Sequence, residues 1–106
     1  MKKYQLVIQF ALANADKQRF DTILELESEL EDWLGPDVEV DGNDFGSGEM
    51  NIFIHTDSPD DTLQRIQMLI GTKHDFSTEY RAGYRKFTEG DFRPIWPPGA
   101  TTFNVV

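Results

Sequence analysis

The sequence predicts an α+β domain whose elements follow the order β-α-β-β-α-β, with an antiparallel sheet and both helices on one of its faces. Two periodicities predict this. Apolar residues alternate in several short segments, as in half-buried strands, and recur at spacings of three and four in two longer segments, as in amphipathic helices. The composition agrees, because 106 residues with 39% hydrophobic and 27% charged residues suit one folded domain. We predict one domain over residues 1–106, in which a Pro-rich C-terminal extension, residues 88–106, packs on the rest.

The first strand and the first helix come early in the chain. The segment YQLVIQF, residues 4–10, places alternate apolar side chains on one face, as a half-buried strand does. Asn14 or Asp16 can cap the helix that follows, and Gly35-Pro36 ends it. The apolar positions of this helix form one stripe: Phe20, Ile23, Leu24, Leu30, Trp33 and Leu34.

Two further strands are predicted around the glycine-rich stretch DGNDFGSG, residues 41–48. DVEVD, residues 37–41, is typical of a short strand, and EMNIFIHT, residues 49–56, is typical of a longer one. The pair predicts a hairpin with a long connection, in which Asp41-Gly42 and the later glycines meet the need for positive φ angles.

The second helix carries clear start and stop signals. Ser58 can be its N-cap, Pro59 suits the first helical position, and Gly71 closes it. The buried stripe of this helix is Leu63, Ile66, Leu69 and Ile70.

The last part of the chain predicts one more strand and an apolar tail. Residues 76–87, FSTEYRAGYRKF, are rich in aromatic residues and predict a strand bent at Gly83. The Pro-rich segment after it ends in residues 101–106, TTFNVV, which predict a short edge strand. The resulting order of elements is that of the ferredoxin-like plait.

Charge and cysteine content exclude several classes of function. The formal net charge is −9, and residues 1–61 carry 4 basic and 15 acidic side chains, whereas residues 62–106 carry 6 and 4. This field disfavours a nucleic-acid partner and attracts a basic protein. The absence of cysteine excludes disulfides and thiolate metal sites. Because the N-terminus predicts neither a signal peptide nor a membrane segment, we expect a cytoplasmic protein with no membrane partner.

The glycine-rich stretch fits no ligand-binding template well. Aligning Asp37, Glu39 and Asp41 with the first calcium ligands of a helix-loop-helix site leaves Gly48 where a bidentate glutamate is needed. Gly46-Ser47-Gly48 precedes a strand, so no helix N-terminus follows to receive a phosphate. We expect no cofactor. If a divalent cation binds here, its candidate ligands are Asp44, Glu49 and His55.

No catalytic residue is predicted. His55 lies at the C-terminal end of a predicted strand and His74 follows the second helix, and neither has a nearby nucleophile or a second histidine at metal-ligand spacing. The sequence therefore favours a binding protein over an enzyme.

Two surfaces are candidates for partner binding. One is the acidic face of the first helix: Glu25, Glu29 and Asp32. The other is a basic and aromatic group of the residue types common in protein–protein hot spots: Tyr80, Tyr84, Arg85 and Trp96. An RNA-binding role is disfavoured, because the signature of sheet-face RNA binders is missing. The face of the sheet without helices must be solvated, covered by the tail or buried against a partner, and a homodimer through this open sheet face is one prediction.

With this order of elements, residues 4–87 resemble small stand-alone bacterial proteins of the ferredoxin-like fold, and VDGNDFGSGEMNIFI has the character of a family signature. The fold and the acidic charge are also similar to those of immunity proteins, which neutralise a cognate toxin. The resemblance implies a non-catalytic module that binds or inhibits a basic protein. The alternative is a small metal-dependent enzyme or a small-molecule-binding regulatory dimer that uses the hairpin region, residues 41–57.

Overall fold

The computed structural model describes residues 2–11, 17–46, 48–73 and 80–105. In chain order the elements are β1 (Tyr4–Ala11), α1 (Lys17–Leu34), β2 (Glu39–Gly46), β3 (Glu49–Thr56), α2 (Pro59–Lys73), β4 (Tyr80–Lys86) and β5 (Arg93–Trp96). The predicted α+β class, with an antiparallel sheet and two helices, is confirmed. Neither described helix has the length and apolar character that a membrane crossing requires.

All five strands form one open antiparallel sheet in the order β2-β3-β1-β4-β5. β1 lies at the centre, where Val7 stands opposite Phe53 of β3 and Gly83 of β4. β2 and β5 are the edge strands, so they lie on opposite sides of the molecule.

The hydrophobic core lies between the sheet and the two helices. Alternate residues of the central strands are fully buried in it: Leu6, Ile8 and Phe10 from β1, and Met50, Ile52 and Ile54 from β3. The helices contribute Ile23, Leu26, Leu30 and Leu34 from α1, and Leu63, Ile66, Leu69 and Ile70 from α2. Because one cluster contains all of these side chains, both helices cover the same side of the sheet. We call that side the helix face and the opposite side the outer face.

The C-terminal segment covers the middle of the outer face. Val7 is fully buried there, and Phe103, which is 5% exposed, lies so close to Gly83 that any β-carbon at that position would collide with its ring. The Gln9 amide donates to Asn51 Oδ1 at 3.1 Å and to the Asn104 carbonyl at 2.9 Å. This face was expected to be solvated, covered by the tail or buried against a partner. Its central rows are covered by the tail.

The predicted edge strand at residues 101–106 is wrong over its described part, because residues 101–105 form no strand. The edge beside β4 is formed instead by β5, which comes earlier in the Pro-rich segment. The tail crosses the outer face instead of extending an edge of the sheet. One of its backbone hydrogen-bonding groups, the Asn104 carbonyl, is satisfied by the side chain of Gln9.

The hairpin differs from its prediction. β2 runs through most of the glycine-rich stretch as far as Gly46, which pairs with Glu49, so the predicted long connection is wrong. The irregularity lies inside β2 as a bulge, since the pairing shifts between Val40 and Gly42 and leaves Asp41 as the extra residue. Gly42 has a φ of 148°, which the absence of a β-carbon permits.

The helix ends mostly follow the sequence signals. α2 begins at Pro59 as predicted, whereas it continues past Gly71 to Lys73. In α1, Leu26 is fully buried, while Trp33, predicted to belong to the buried stripe, is 41% exposed. The proposed caps Asn14 and Asp16, the histidine at position 74 and residues 76–79 lie outside the described residues.

Candidate functional site

The acidic face of α1 points away from the sheet. Glu25, Glu29 and Asp32 follow the spacing i, i+4, i+7, which places them on one side of a helix whose opposite side carries the buried leucines. Glu25 and Asp32 are exposed and Glu29 is half-buried. In the described part of the chain, no ion pair reaches Glu25 or Asp32. We call this group the α1 stripe.

The position of the α1 stripe is fixed by contacts between α1 and the edge strand β2. The Asn43 amide donates to Glu27 Oε1 at 2.8 Å, and the rings of Phe20 and Phe45 meet edge to face at 5.7 Å. α1 and β2 therefore form one continuous side of the molecule.

Charge is separated across the sheet. Residues 20–64 contain 14 acidic side chains and no lysine or arginine, and they include most of α1, both strands of the hairpin and the first turn of α2. The basic residues Arg81, Arg85, Lys86 and Arg93 lie on β4 and β5, at the edge opposite β2. The α1 and β2 side is therefore acidic, and the β4 and β5 side is the basic one.

The basic side is partly neutralised by its own contacts. Glu89 accepts a hydrogen bond from the Lys86 backbone N–H at 3.2 Å and pairs with Arg93 at 3.0 Å. The Lys86 amide, with help from the Arg93 guanidinium, holds the pKa of Glu89 below its usual range. Arg85 is also engaged, since Nε donates to Gln5 Oε1 at 3.0 Å and a terminal nitrogen donates to the Glu89 carbonyl at 2.7 Å.

The predicted basic and aromatic group does not form one patch. Tyr80 is 8% exposed, stacks on Trp96 with centroids 6.0 Å apart, and packs beside Phe10 on the helix face. Burial raises the pKa of its phenol, so the hydroxyl stays protonated beyond the usual range of tyrosine. Tyr84 is half-buried and meets the ring of Tyr4 edge to face at 5.8 Å.

Strand alternation places Arg85 on the outer face, away from Tyr80, Tyr84 and Trp96. Tyr84, Arg85 and Trp96 are each half-buried, so the surface that they offer a partner is small and divided between the two faces of the sheet.

A shallow open cavity of about 310 Å³ lies where β3 ends and α2 begins. Its charged lining has both signs: Lys2, Asp37, Asp57, Asp61 and Arg65. Lys2 pairs with Asp57 at 3.7 Å, and the Arg65 guanidinium donates to the Leu34 carbonyl at the end of α1. Because these cations are already engaged, the cavity offers no strong anion site.

The hairpin brings His55 together with Glu39 and Asp41. Imidazole Nδ1 lies 3.9 Å from Glu39 Oε1, and Nε2 lies 3.5 Å from Asp41 Oδ2. The other predicted cation ligands lie elsewhere, since Asp44 pairs in register with Asn51 and Glu49 is six residues from His55, about 20 Å along a strand. The group around His55 therefore replaces two of the three predicted ligands.

Glu39 and Asp41 were not predicted as partners of His55, because the register of the hairpin and the bulge at Asp41 were not predicted from the sequence. The available signal was their spacing of two residues, which places both on one side of a strand, together with the hairpin pairing. Comparisons of this chain with models of protein families, with curated proteins and with solved structures gave no match.

Proposed function

We propose that this chain is a non-catalytic module that presents an acidic surface to a basic protein, on a scaffold of the ferredoxin-like type. The order β2-β3-β1-β4, with one helix before β2 and one before β4, supports the scaffold assignment, and β5 extends the sheet at one edge.

The observation that carries the functional proposal is the exposure of Glu25 and Asp32 in the α1 stripe, which no ion pair reaches in the described part of the chain. Clustered like charges repel one another and reduce the stability of the folded chain. Exposed clusters of this kind are therefore expected where solubility or binding offsets that cost. A binding role adds long-range steering, which raises the rate of encounter with a cation-rich partner. Because the basic residues lie at the opposite edge, a cation-rich partner would be steered toward the α1 and β2 side.

An immunity-type protein, which blocks a basic enzyme or toxin by covering it, is the specific form of this proposal. Its contact surface is α1 with the neighbouring β2, and its polar character suits fast, salt-dependent association. The homodimer stays a prediction, and it would need a surface other than the central rows of the outer face, which the tail occupies.

Affinity capture with matched charge variants tests the proposal. The test variant carries Glu25→Lys, Glu29→Lys and Asp32→Lys. The control carries Asp60→Lys, Asp61→Lys and Asp91→Lys, at exposed positions outside α1 and β2. Each triple replaces three −1 side chains by three +1 side chains, which takes the formal net charge from −9 to −3. Each bait is presented to a lysate of the source organism at low and high salt, and the captured proteins are identified by mass spectrometry.

We expect the wild-type and control baits to capture the same basic protein, and the test bait to lose most of it. High salt should release it from the wild-type bait, because exposed charges separated by more than the Debye length, about 3 Å at 1 M, are screened. Equal recovery of every protein by the test bait would contradict a role for the α1 stripe. Loss with both triples would show that net charge alone is responsible.

A further inference from the structure

The bulge in β2 determines which side chains surround His55. Glu39 stands directly opposite His55, and Gly42 stands opposite Phe53, so Asp41 is the extra residue between two paired positions. In a regular strand Asp41 itself would stand opposite Phe53. The bulge removes it from that place and leaves its carboxylate 3.5 Å from His55 Nε2.

The spacing of the three side chains is compatible with that of metal ligands. One donor atom from each of Glu39, Asp41 and His55 lies within 4.8 Å of the other two. Bound zinc lies about 2.0–2.2 Å from nitrogen and oxygen ligands, so neighbouring ligands of a tetrahedral ion are about 3.3 Å apart. A single ion binds only one of the two imidazole nitrogens, so separations of up to 4.8 Å would have to shorten by up to about 1.5 Å, which rotation of the two exposed carboxylates allows.

The imidazole is held in place before any ion binds. Its side chain is only 20% exposed, and the ring of Phe87 meets it edge to face with centroids 4.8 Å apart. Phe87 is itself anchored, since its backbone N–H donates to the Lys3 carbonyl at 3.2 Å. A ligand fixed in this way loses little conformational entropy on coordination.

We propose that Glu39, Asp41 and His55 bind a divalent transition-metal ion of the zinc type. One imidazole and two carboxylates suit such a borderline ion, whereas calcium takes six to eight oxygen ligands and magnesium prefers an octahedron of oxygens. Three protein ligands leave at least one position for water or for a donor from a partner. The proposal does not depend on the proposed function, because the α1 stripe contributes no ligand.

Isothermal titration calorimetry tests the site with the metal ions themselves. Zinc chloride, calcium chloride and magnesium chloride are titrated into the wild-type protein and into His55→Gln, Asp41→Asn and Asp44→Asn. Asp44 serves as the matched control because it is an exposed aspartate on the same strand without a donor atom in the group. We expect one zinc per chain, a loss of affinity of at least tenfold in His55→Gln and Asp41→Asn, and an unchanged value in Asp44→Asn.

The imidazole signals provide a readout that a folding defect cannot imitate. In long-range ¹H–¹⁵N spectra of the wild-type protein, zinc should move the ring nitrogens of His55, which are assigned by their absence from His55→Gln. Circular dichroism of every variant checks that the fold is intact. If His55→Gln unfolds, the double variant Glu39→Gln with Asp41→Asn takes its place.

Three results would overturn the proposal. The first is zinc binding of equal affinity in wild-type protein and His55→Gln, which would place the ion on other residues. The second is calcium or magnesium binding as tightly as zinc, which would make this a site for a hard cation. The third is the absence of both heat and His55 shifts at millimolar zinc, which would leave the group as a histidine paired with two carboxylates.

Discussion

At the scale of single residues, Gly83 allows the tail to pack against the outer face because it has no side chain. It lies in the centre of the sheet, opposite Val7, and the Phe103 ring occupies the space that a β-carbon would need. Its backbone φ is not in the left-handed region, so alanine would fit the backbone there and only the contact with Phe103 resists it. The sequence predicted a bend at this glycine, whereas the structure shows a shift in the pairing with β5 between Ala82 and Gly83 and the Phe103 ring packed against Gly83.

Gly83→Ala is therefore expected to destabilise the protein by about 1–3 kcal/mol, the usual cost of overpacking. Phe103→Ala is expected to cost about 3–5 kcal/mol, as for other buried phenylalanines. In the double variant the added cost of Gly83→Ala should fall below about 1 kcal/mol, because the colliding ring is gone. Chemical denaturation of the four proteins measures this cycle, and strictly additive costs would contradict the contact.

At the scale of elements, the strands and helices of the core could be predicted, because their apolar residues recur at the spacings typical of strands and helices. The alternation in β1 and β3 and the start of α2 at Pro59 were readable from local sequence. The extent of β2 was not, because its glycines and aspartates have low strand propensity and only pairing with β3 holds them extended. The group around His55 depends on that pairing, so neither strand alone could reveal it.

The two helices are joined by polar contacts that the sequence pattern did not indicate. The Trp33 indole N–H donates to the Arg65 carbonyl at 2.7 Å, and the Arg65 guanidinium donates to the Leu34 carbonyl. The first contact explains why Trp33 stays at the surface, since its polar atom reaches across to α2. The second satisfies one of the carbonyls that every helix leaves unpaired at its C-terminus.

Removing either contact should loosen the end of α1. Arg65→Met leaves the Leu34 carbonyl without this donor and should cost about 1–2 kcal/mol, and Trp33→Phe should cost about 0.5–1.5 kcal/mol. Gln64→Met is the control, because Gln64 is an exposed neighbour on the same helix, and it should change stability by less than about 0.5 kcal/mol. The free energy of unfolding in urea measures all three, and equal values for Arg65→Met and Gln64→Met would contradict the capping role.

At the scale of the whole molecule, the chain is polarised across its sheet. The sequence indicated an acidic first half, but it could not show that β2 and β5 lie at opposite edges, because strand order is a property of the tertiary fold. This strand order places the acidic and the basic parts of the sequence on opposite sides of the molecule. The tail adds a second feature at this scale, since it covers the centre of the outer face, whereas the α1 and β2 side keeps acidic side chains exposed.

Photo-cross-linking shows which side of the molecule touches a partner. A photo-cross-linking amino acid is placed at Glu25, in the α1 stripe, or at Asp91, an exposed position between β4 and β5. After irradiation in a lysate of the source organism, the Glu25 variant should form a covalent adduct with a basic protein, and high salt before irradiation should suppress it. The Asp91 variant should form none. An adduct from Asp91 but not from Glu25, or one that high salt leaves unchanged, would contradict the proposal that the acidic α1 side is the binding surface.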